Sequence, residues 1–312
     1  ITITNSGGTT FSSTVDAASL IISASTVGST VTFSNSLTLS SGLTVNAGSA
    51  AYNISISGSS TNIAGATTFN NTGTLTFTSG SSSTFRSGIV ATAPSSISLA
   101  GTISTWYLGN ITIGDGDTNL SASGNAYIFS LANSSIQIGA TTLANGAYFT
   151  IGSGSANPIS LSSISGTTGG SSSNITINTT GAVTVSGAIG TDIGTLTITN
   201  SGGTTFSSTV DATTVTLTNT TGTIAFNGAL TATTLNTAAQ AYNLALNAST
   251  GTITNAVSMI NTGTVTLGTS GGTLAFTGGL TATAPSAITV NGTVTAAGTG
   301  VITLGDSDTG VT

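Results

Sequence analysis

Short runs in which large apolar residues take every second position recur throughout this chain. Examples are Leu196–Thr199, Val265–Leu267 and Ile302–Leu304, where Thr fills the alternate positions. Alternation with a period of two predicts β-strands that bury one face. The runs last about 4–6 residues and are bounded by Gly, Asn or Ser, and helical spacing is nowhere sustained. The chain is therefore predicted to be all-β.

A second pattern marks where these strands turn. Phe is followed four residues later by Val, Ile or Leu, with small or polar residues between them. Gly, Ser or Asn at such a point lets one strand end and the next begin with its apolar residue facing inward. The pairs are Phe11/Val15, Phe33/Leu37, Phe85/Ile89, Phe206/Val210, Phe226/Leu230 and Phe276/Leu280.

The spacing of these corners predicts the architecture. Phe11 and Phe33 are 22 residues apart, and Phe206 and Phe226 are 20 apart. A repeat of about 20–25 residues with short strands and tight corners is typical of one coil of a β-solenoid. About 14 such coils, stacked at about 4.8 Å each, would span about 65–70 Å. A β-sandwich or several small barrels are the alternatives, and they need longer strands and more aromatic residues.

A longer repeat lies over the short one. Thr2–Ala17 and Thr197–Ala212 are identical, and looser matches continue at an offset of 190–195 residues. We therefore expect a first repeat unit at 1–195, with a non-repeated, loop-bearing part at 119–195. A second, truncated unit at 196–312 is expected to continue the same solenoid. A glycine- and serine-rich loop is predicted at Ser163–Ser173, and the chain is expected to be a segment of a longer protein.

Composition argues against several functions. Charged residues make up 3% of the chain, Arg86 is the only cation, and Lys, Glu, His and Cys are absent. Nucleic-acid binding needs a basic face, and the usual general bases and thiol nucleophiles are missing. No apolar stretch is long enough to predict a membrane helix. We predict a protein that is not an enzyme, binds no nucleic acid and does not insert into a membrane.

The texture of the strands resembles a known group of proteins. Runs such as GTLTFTSG at 73–80, GTIAFNGALTATTL at 222–235 and GTLAFTGGLTATAP at 272–285 are similar to the β-strand repeats of bacterial filamentous-haemagglutinin-like and autotransporter-type surface proteins. The resemblance covers most of the chain and lies in texture and period. It implies a secreted, right-handed parallel β-helical stalk, located outside the cell or on its surface, that serves adhesion, sheath formation or fibre building.

Trp106, Tyr107 and Leu108 depart most sharply from the pattern. The matching positions in the second copy are Ala297–Thr299, so a coil does not require aromatic residues there. An exposed aromatic pair would stack on a sugar ring or dock a neighbouring chain. Local packing beneath a loop is the alternative. Arg86 is expected to pair with an Asp of a neighbouring coil or chain.

Two acidic turns are the candidate metal sites. Asp115, Asp117 and Asn119 form one, and Asp306 and Asp308 form the other. Closely spaced oxygen ligands suit Ca²⁺, although no acid stands at the twelfth position that an EF-hand loop requires. Plain Asp-capped turns are the alternative. Calcium is the one cofactor that the sequence suggests.

These observations favour a structural segment of an extracellular filament, sheath or giant surface adhesin. Its partners would be adjacent repeats or other copies stacked head to tail. A glycan- or surface-binding module that uses Trp106 and Tyr107 is the alternative. A polysaccharide-cleaving β-helix enzyme is a less favoured alternative. Such an enzyme needs a cluster of acidic and basic side chains in one cleft, and this chain offers only Asp115 and Asp117. An ice-binding face would need an unbroken threonine array, which the phenylalanine corners interrupt.

Overall fold

The computed structural model describes residues 1–131 and 133–312, which form two compact units, Ile1–Ser160 and Leu161–Thr312. Each unit is built from short parallel strands, and together the units contain about 14 turns of a β-solenoid. The predicted all-β solenoid is confirmed, while its right-handedness stays a prediction. The predicted division into repeat units at 195/196 also stays a prediction. It describes repetition in the sequence, whereas the boundary between the compact units lies at Ser160/Leu161.

No helix in residues 1–131 and 133–312 is long and apolar enough to cross a bilayer.

The strands of the first unit are two to twelve residues long. They are β1 (Thr2–Ile3), β2 (Thr9–Phe11), β3 (Val15–Ile22), β4 (Thr30–Phe33), β5 (Leu37–Val45), β6 (Asn53–Ile56), β7 (Ser60–Ile63), β8 (Thr67–Phe69), β9 (Thr74–Phe77), β10 (Ser82–Phe85), β11 (Ile89–Ala91), β12 (Ser96–Thr105), β13 (Ile111–Ile113), β14 (Asn119–Ser130), β15 (Ile136–Ile138), β16 (Thr141–Leu143) and β17 (Tyr148–Ile151).

The strands of the second unit have similar lengths, and β18 (Ile159–Leu161) spans the boundary between the units. They are β19 (Ile164–Gly166), β20 (Ser173–Asn178), β21 (Val183–Val185), β22 (Ile189–Gly190), β23 (Ile193–Ser201), β24 (Thr204–Phe206), β25 (Val210–Thr220), β26 (Thr223–Phe226), β27 (Leu230–Asn236), β28 (Asn243–Leu246), β29 (Thr250–Ile253), β30 (Val257–Ser258), β31 (Thr264–Leu267), β32 (Thr273–Phe276), β33 (Leu280–Ala282), β34 (Ala287–Val290), β35 (Thr293–Thr295), β36 (Ile302–Leu304) and β37 (Gly310–Val311).

The first unit stacks its strands in three parallel columns. One column contains β2, β4, β6, β9, the first half of β12, the first half of β14, and β16. A second contains β1, the ends of β3 and β5, β8, β11, β13 and β15. The third stack contains the starts of β3 and β5, β7, β10, the second halves of β12 and β14, and β17.

The second unit follows the same plan. Two of its columns are β21, β24, β26, β28, β31, β34 and β37, and β19, β22, β25, β27, β29, β32 and β35. The third column contains β20, β23 and the ends of β25 and β27. Strands β30, β33 and β36 form a separate three-stranded parallel sheet.

One turn takes from 19 to 25 residues, since Thr195 pairs with Thr214 and Ile111 pairs with Ile136. This agrees closely with the predicted coil length. Parallel pairing between successive turns also excludes the face-to-face antiparallel sheets of a β-sandwich. The predicted loop at Ser163–Ser173 is shorter than expected, because Ile164–Gly166 forms β19.

The predicted phenylalanine corners are confirmed. Phe85 ends β10 and Ile89 begins β11, and in the second unit Phe226 ends β26 and Leu230 begins β27. The other four pairs are placed in the same way. The apolar residue on each side of the corner faces the interior because the three-residue linker turns the chain from one column of strands into the next while the inward face stays the same.

The interior of each unit is a stack of apolar side chains. Phe11 lies on Phe33 with ring centroids 5.1 Å apart, and Phe206 lies on Phe226 at 4.8 Å. Burying such a side chain contributes about 1.5–3 kcal/mol relative to leaving it exposed. The outside carries the polar ladders that the alternation predicts: Asn219 donates to Asn200, which donates to Asn178, each at 2.7 Å.

Candidate functional site

The most unusual surface of the first unit lies at one edge of the third stack. Arg86, Trp106 and Leu131 directly follow β10, β12 and β14 and therefore occupy equivalent positions on successive turns. Backbone hydrogen bonds continue the register past the strand ends, from Tyr107 N to Arg86 O and from Leu131 N to Thr105 O. We call Arg86, Trp106, Tyr107, Leu108 and Leu131 the aromatic corner.

The aromatic corner is open to solvent. Trp106 is 48% exposed, Tyr107 63% and Leu108 84%. These exposed fractions do not favour the alternative, in which the three side chains pack beneath a loop. Exposed large apolar side chains that adjoin one another on a soluble protein mark interaction surfaces more often than isolated ones do.

Arg86 is held in place by neighbours on both adjacent turns. Its Nε donates to Asn62 Oδ1 at 2.9 Å, and its guanidinium carbon lies 5.3 Å from the centroid of the Trp106 ring. This distance is within the range of a cation–π interaction. The expected pairing of Arg86 with an Asp is not found within the described residues, where an amide and an indole take that place.

Three more aromatic side chains, which were not predicted to be site residues, face outward from the same stack. Tyr127 and Phe129 alternate with buried residues on β14, with their ring centroids 4.6 Å apart, and Tyr148 on β17 is 58% exposed. Phe129 pairs with Ser104, two residues before Trp106. We call Tyr127, Phe129 and Tyr148 the outer aromatic face. Alternation predicts their outward direction, but only the register places them beside the aromatic corner.

The acidic turn of the first unit is held by its own hydrogen bonds. Asp115 Oδ1 accepts hydrogen bonds from the backbone N–H groups of Asp117 and Thr118, both at 3.1 Å, and from Thr118 Oγ1 at 2.9 Å. The Thr118 hydroxyl and these N–H donors lower the pKa of the Asp115 carboxyl. Asp117 and Asn119 are exposed beside it.

The second unit repeats this turn. Asp306 Oδ1 accepts from Asp308 N at 3.0 Å, from Thr309 N at 3.1 Å and from Thr309 Oγ1 at 3.2 Å, and the bond from Asp308 N is the main reason that the pKa of Asp306 is lowered. In both turns an Asp-capped conformation accounts for the first carboxylate.

Calcium binding at these turns stays a prediction. Within residues 1–131 and 133–312 there is no group of three or more His, Cys, Asp or Glu side chains that could hold a metal ion. Each turn carries two carboxylates at positions two residues apart, and Asn119 follows them in the first turn. Ligation of Ca²⁺ would require further oxygen atoms, because the ion takes six to eight.

Comparisons of this chain with protein-family models, with curated proteins and with solved structures found no match. The assignment to haemagglutinin-like or autotransporter-type proteins therefore remains a resemblance, and the β-solenoid repeat class is what the structure establishes.

Proposed function

We propose that this chain is a structural segment of an extracellular filament, sheath or large bacterial surface adhesin. The observation that carries the proposal is the repeated parallel stacking of about 14 similar turns, a plan to which further turns can be added. Phe33 is 1% exposed, whereas Phe11, its equivalent on the preceding turn, is half-buried. In the last turn Val311 is 47% exposed, although it pairs with the fully buried Ile288.

A solenoid turn whose inner face is not fully covered can accept a further turn, either of the same chain or of another copy. Each end turn presents inward apolar side chains and a parallel strand edge, which are the features that template another strand. Stacking of another copy in the same direction would form a heterologous contact and therefore an open filament. The low charge of the chain and its resemblance to secreted stalks support a position outside the cell.

Sedimentation velocity over a range of protein concentrations, followed by negative-stain electron microscopy, tests this proposal. We expect larger species and linear filaments as the concentration rises. Val311→Asp should prevent their formation, because it places a carboxylate on the contact, whereas Val27→Asp at a 75% exposed position should not. A protein that stays monomeric at every concentration would contradict the proposal.

A glycan-binding role is the second candidate, and the aromatic corner together with the outer aromatic face supports it. Aromatic rings supply large, rigid and amphipathic contact areas. Binding to immobilised polysaccharides should fall when Trp106 or Tyr107 is replaced by Ala. Equal binding by these variants and the unchanged protein would exclude the aromatic corner.

A further inference from the structure

We propose that Arg86, the concavity beside it and Trp106 form a subsite for an acidic sugar residue, a uronate, within a polysaccharide chain. This inference rests on the glycan-binding candidate and specifies its ligand. The formal net charge is −6, and the single cation stands at the aromatic corner.

The guanidinium of Arg86 is oriented but not neutralised. Its Nε–H is bonded to Asn62 and its carbon lies over the Trp106 ring. Arginine has five N–H donors, and within the described residues no hydrogen-bond partner is found for those on the Nη atoms. A preoriented fork of this kind matches the two oxygens of a carboxylate.

Next to Arg86 the surface forms an open concavity. Thr38, Ser40 and Asn62 are among the residues that line it, together with Arg86, and no acidic residue is part of the lining. The side-chain polar groups here are hydroxyls, an amide and a guanidinium. These groups complement a ligand that carries both hydroxyl groups and a negative charge.

The adjoining aromatic side chains favour a sugar over a simple inorganic anion. Trp106 and Tyr107 keep about half or more of their surface exposed beside the guanidinium. An inorganic anion would use Arg86 alone and gain nothing from these side chains. A uronate can place its carboxylate on Arg86 while it or a neighbouring sugar packs against an aromatic ring.

Tryptophan fluorescence gives a direct test, because Trp106 is the only tryptophan in the chain. The intact protein is titrated with tetragalacturonate, with its neutral counterpart tetragalactose, and with inorganic phosphate. We expect a saturable change with tetragalacturonate, binding of tetragalactose at least about tenfold weaker, and no saturation with phosphate in the same range. Affinity for tetragalacturonate should decrease as salt rises.

Variants separate the contributions. Arg86→Gln should weaken tetragalacturonate binding about tenfold, because a charge-assisted hydrogen bond is lost. The affinity of Arg86→Lys for tetragalacturonate should lie between those of Arg86→Gln and the unchanged protein, because lysine keeps the positive charge but lacks the planar fork of donors. Val27→Ser is the matched surface control and should bind like the unchanged protein. Circular dichroism checks that each variant is folded.

The outcomes are distinguishable. Equal affinity for tetragalactose and tetragalacturonate, with no effect of Arg86→Gln, overturns the uronate subsite and leaves the glycan-binding candidate standing. Phosphate binding as tight as tetragalacturonate binding reduces the site to a plain anion site and also overturns the proposal. No response to either oligosaccharide overturns both glycan binding at this corner and the uronate subsite, while filament formation stays a separate question.

Discussion

At the scale of single residues, buried polar groups at the corners tie one turn to the next. In the first unit Asn71 is fully buried, and its Nδ2 donates to the backbone carbonyl of Tyr52 on the preceding turn at 3.2 Å. The second unit repeats the contact between Asn261 and Tyr242 at 3.1 Å. Gly73 lies against the same Tyr52 carbonyl, so the corner closes only because that position carries no side chain.

Replacement of Gly73 by Ala should therefore destabilise the protein. A methyl group there would overlap with the Tyr52 carbonyl oxygen, and forcing extra volume into a packed site typically costs about 1–3 kcal/mol. Gly116→Ala is the matched control, because open space surrounds its Cβ position. Guanidinium unfolding followed by circular dichroism should show a lower midpoint for Gly73→Ala alone. Equal midpoints for the two variants would mean that the corner yields without strain.

At the scale of elements, the interior columns decide which side chains a strand can carry. Phe206, Phe226 and Leu246 occupy the same position on three successive turns of the second unit. Each is almost completely buried. Because Leu follows Phe in this column, the interior accepts either shape at a given turn but requires that the volume be filled.

Phe226→Ala should consequently cost about 3–5 kcal/mol, because it removes buried apolar surface and leaves a cavity. Phe226→Leu should cost much less, since the next turn already carries Leu246 at this position. Val27→Ala, at a 75% exposed position, should leave the unfolding midpoint nearly unchanged. Thermal unfolding of the three variants measures the order of their stabilities. A Phe226→Leu variant as unstable as Phe226→Ala would contradict the prediction.

The same columns explain what the sequence could predict. The corner formed by Phe226 and Leu230 is visible because both of its residues lie close together in the chain and follow local rules of alternation and turn formation. The contact between Asn62, Arg86 and Trp106 joins residues 20 or more positions apart. It depends on turn lengths that vary from 19 to 25 residues, and a change of one residue would move Arg86 to a different neighbour.

At the scale of the whole molecule, the chain achieves its fold with almost no charge. Backbone pairing between turns and the apolar interior supply the cohesion, and the one cation bonds to an amide. Salt screens interactions between charges, but it leaves these contributions largely unchanged. Hydrogen bonds lower the pKa values of Asp115 and Asp306. Burial raises the pKa of Tyr52 to about 12, and it also raises the pKa values of Tyr127 and Tyr242.

Stability should therefore be nearly constant between about pH 5 and 9 and between low and high salt. Above pH 10 it should decline, because the folded state retains the Tyr52 proton up to about pH 12 whereas the unfolded chain releases it near 10. That contribution is fully present below pH 10, and its loss amounts to about 2–3 kcal/mol. Below about pH 4 a smaller decline is expected, as the lowered pKa values of Asp115 and Asp306 favour the folded state only at higher pH.

Urea unfolding midpoints measured from pH 3 to pH 12, at low and at high salt, test this profile. Tyr52→Phe should lower stability at neutral pH by about 1 kcal/mol, because the hydrogen bond to the carbonyl of Asn46 is lost. It should reduce the alkaline decline without abolishing it, because the pKa values of Tyr127 and Tyr242 are also raised. Tyr148→Phe, at a 58% exposed position, should retain that decline. An unfolding midpoint that changes strongly with salt, or between pH 5 and 9, would contradict this prediction, because it would show that interactions between charges contribute substantially to stability.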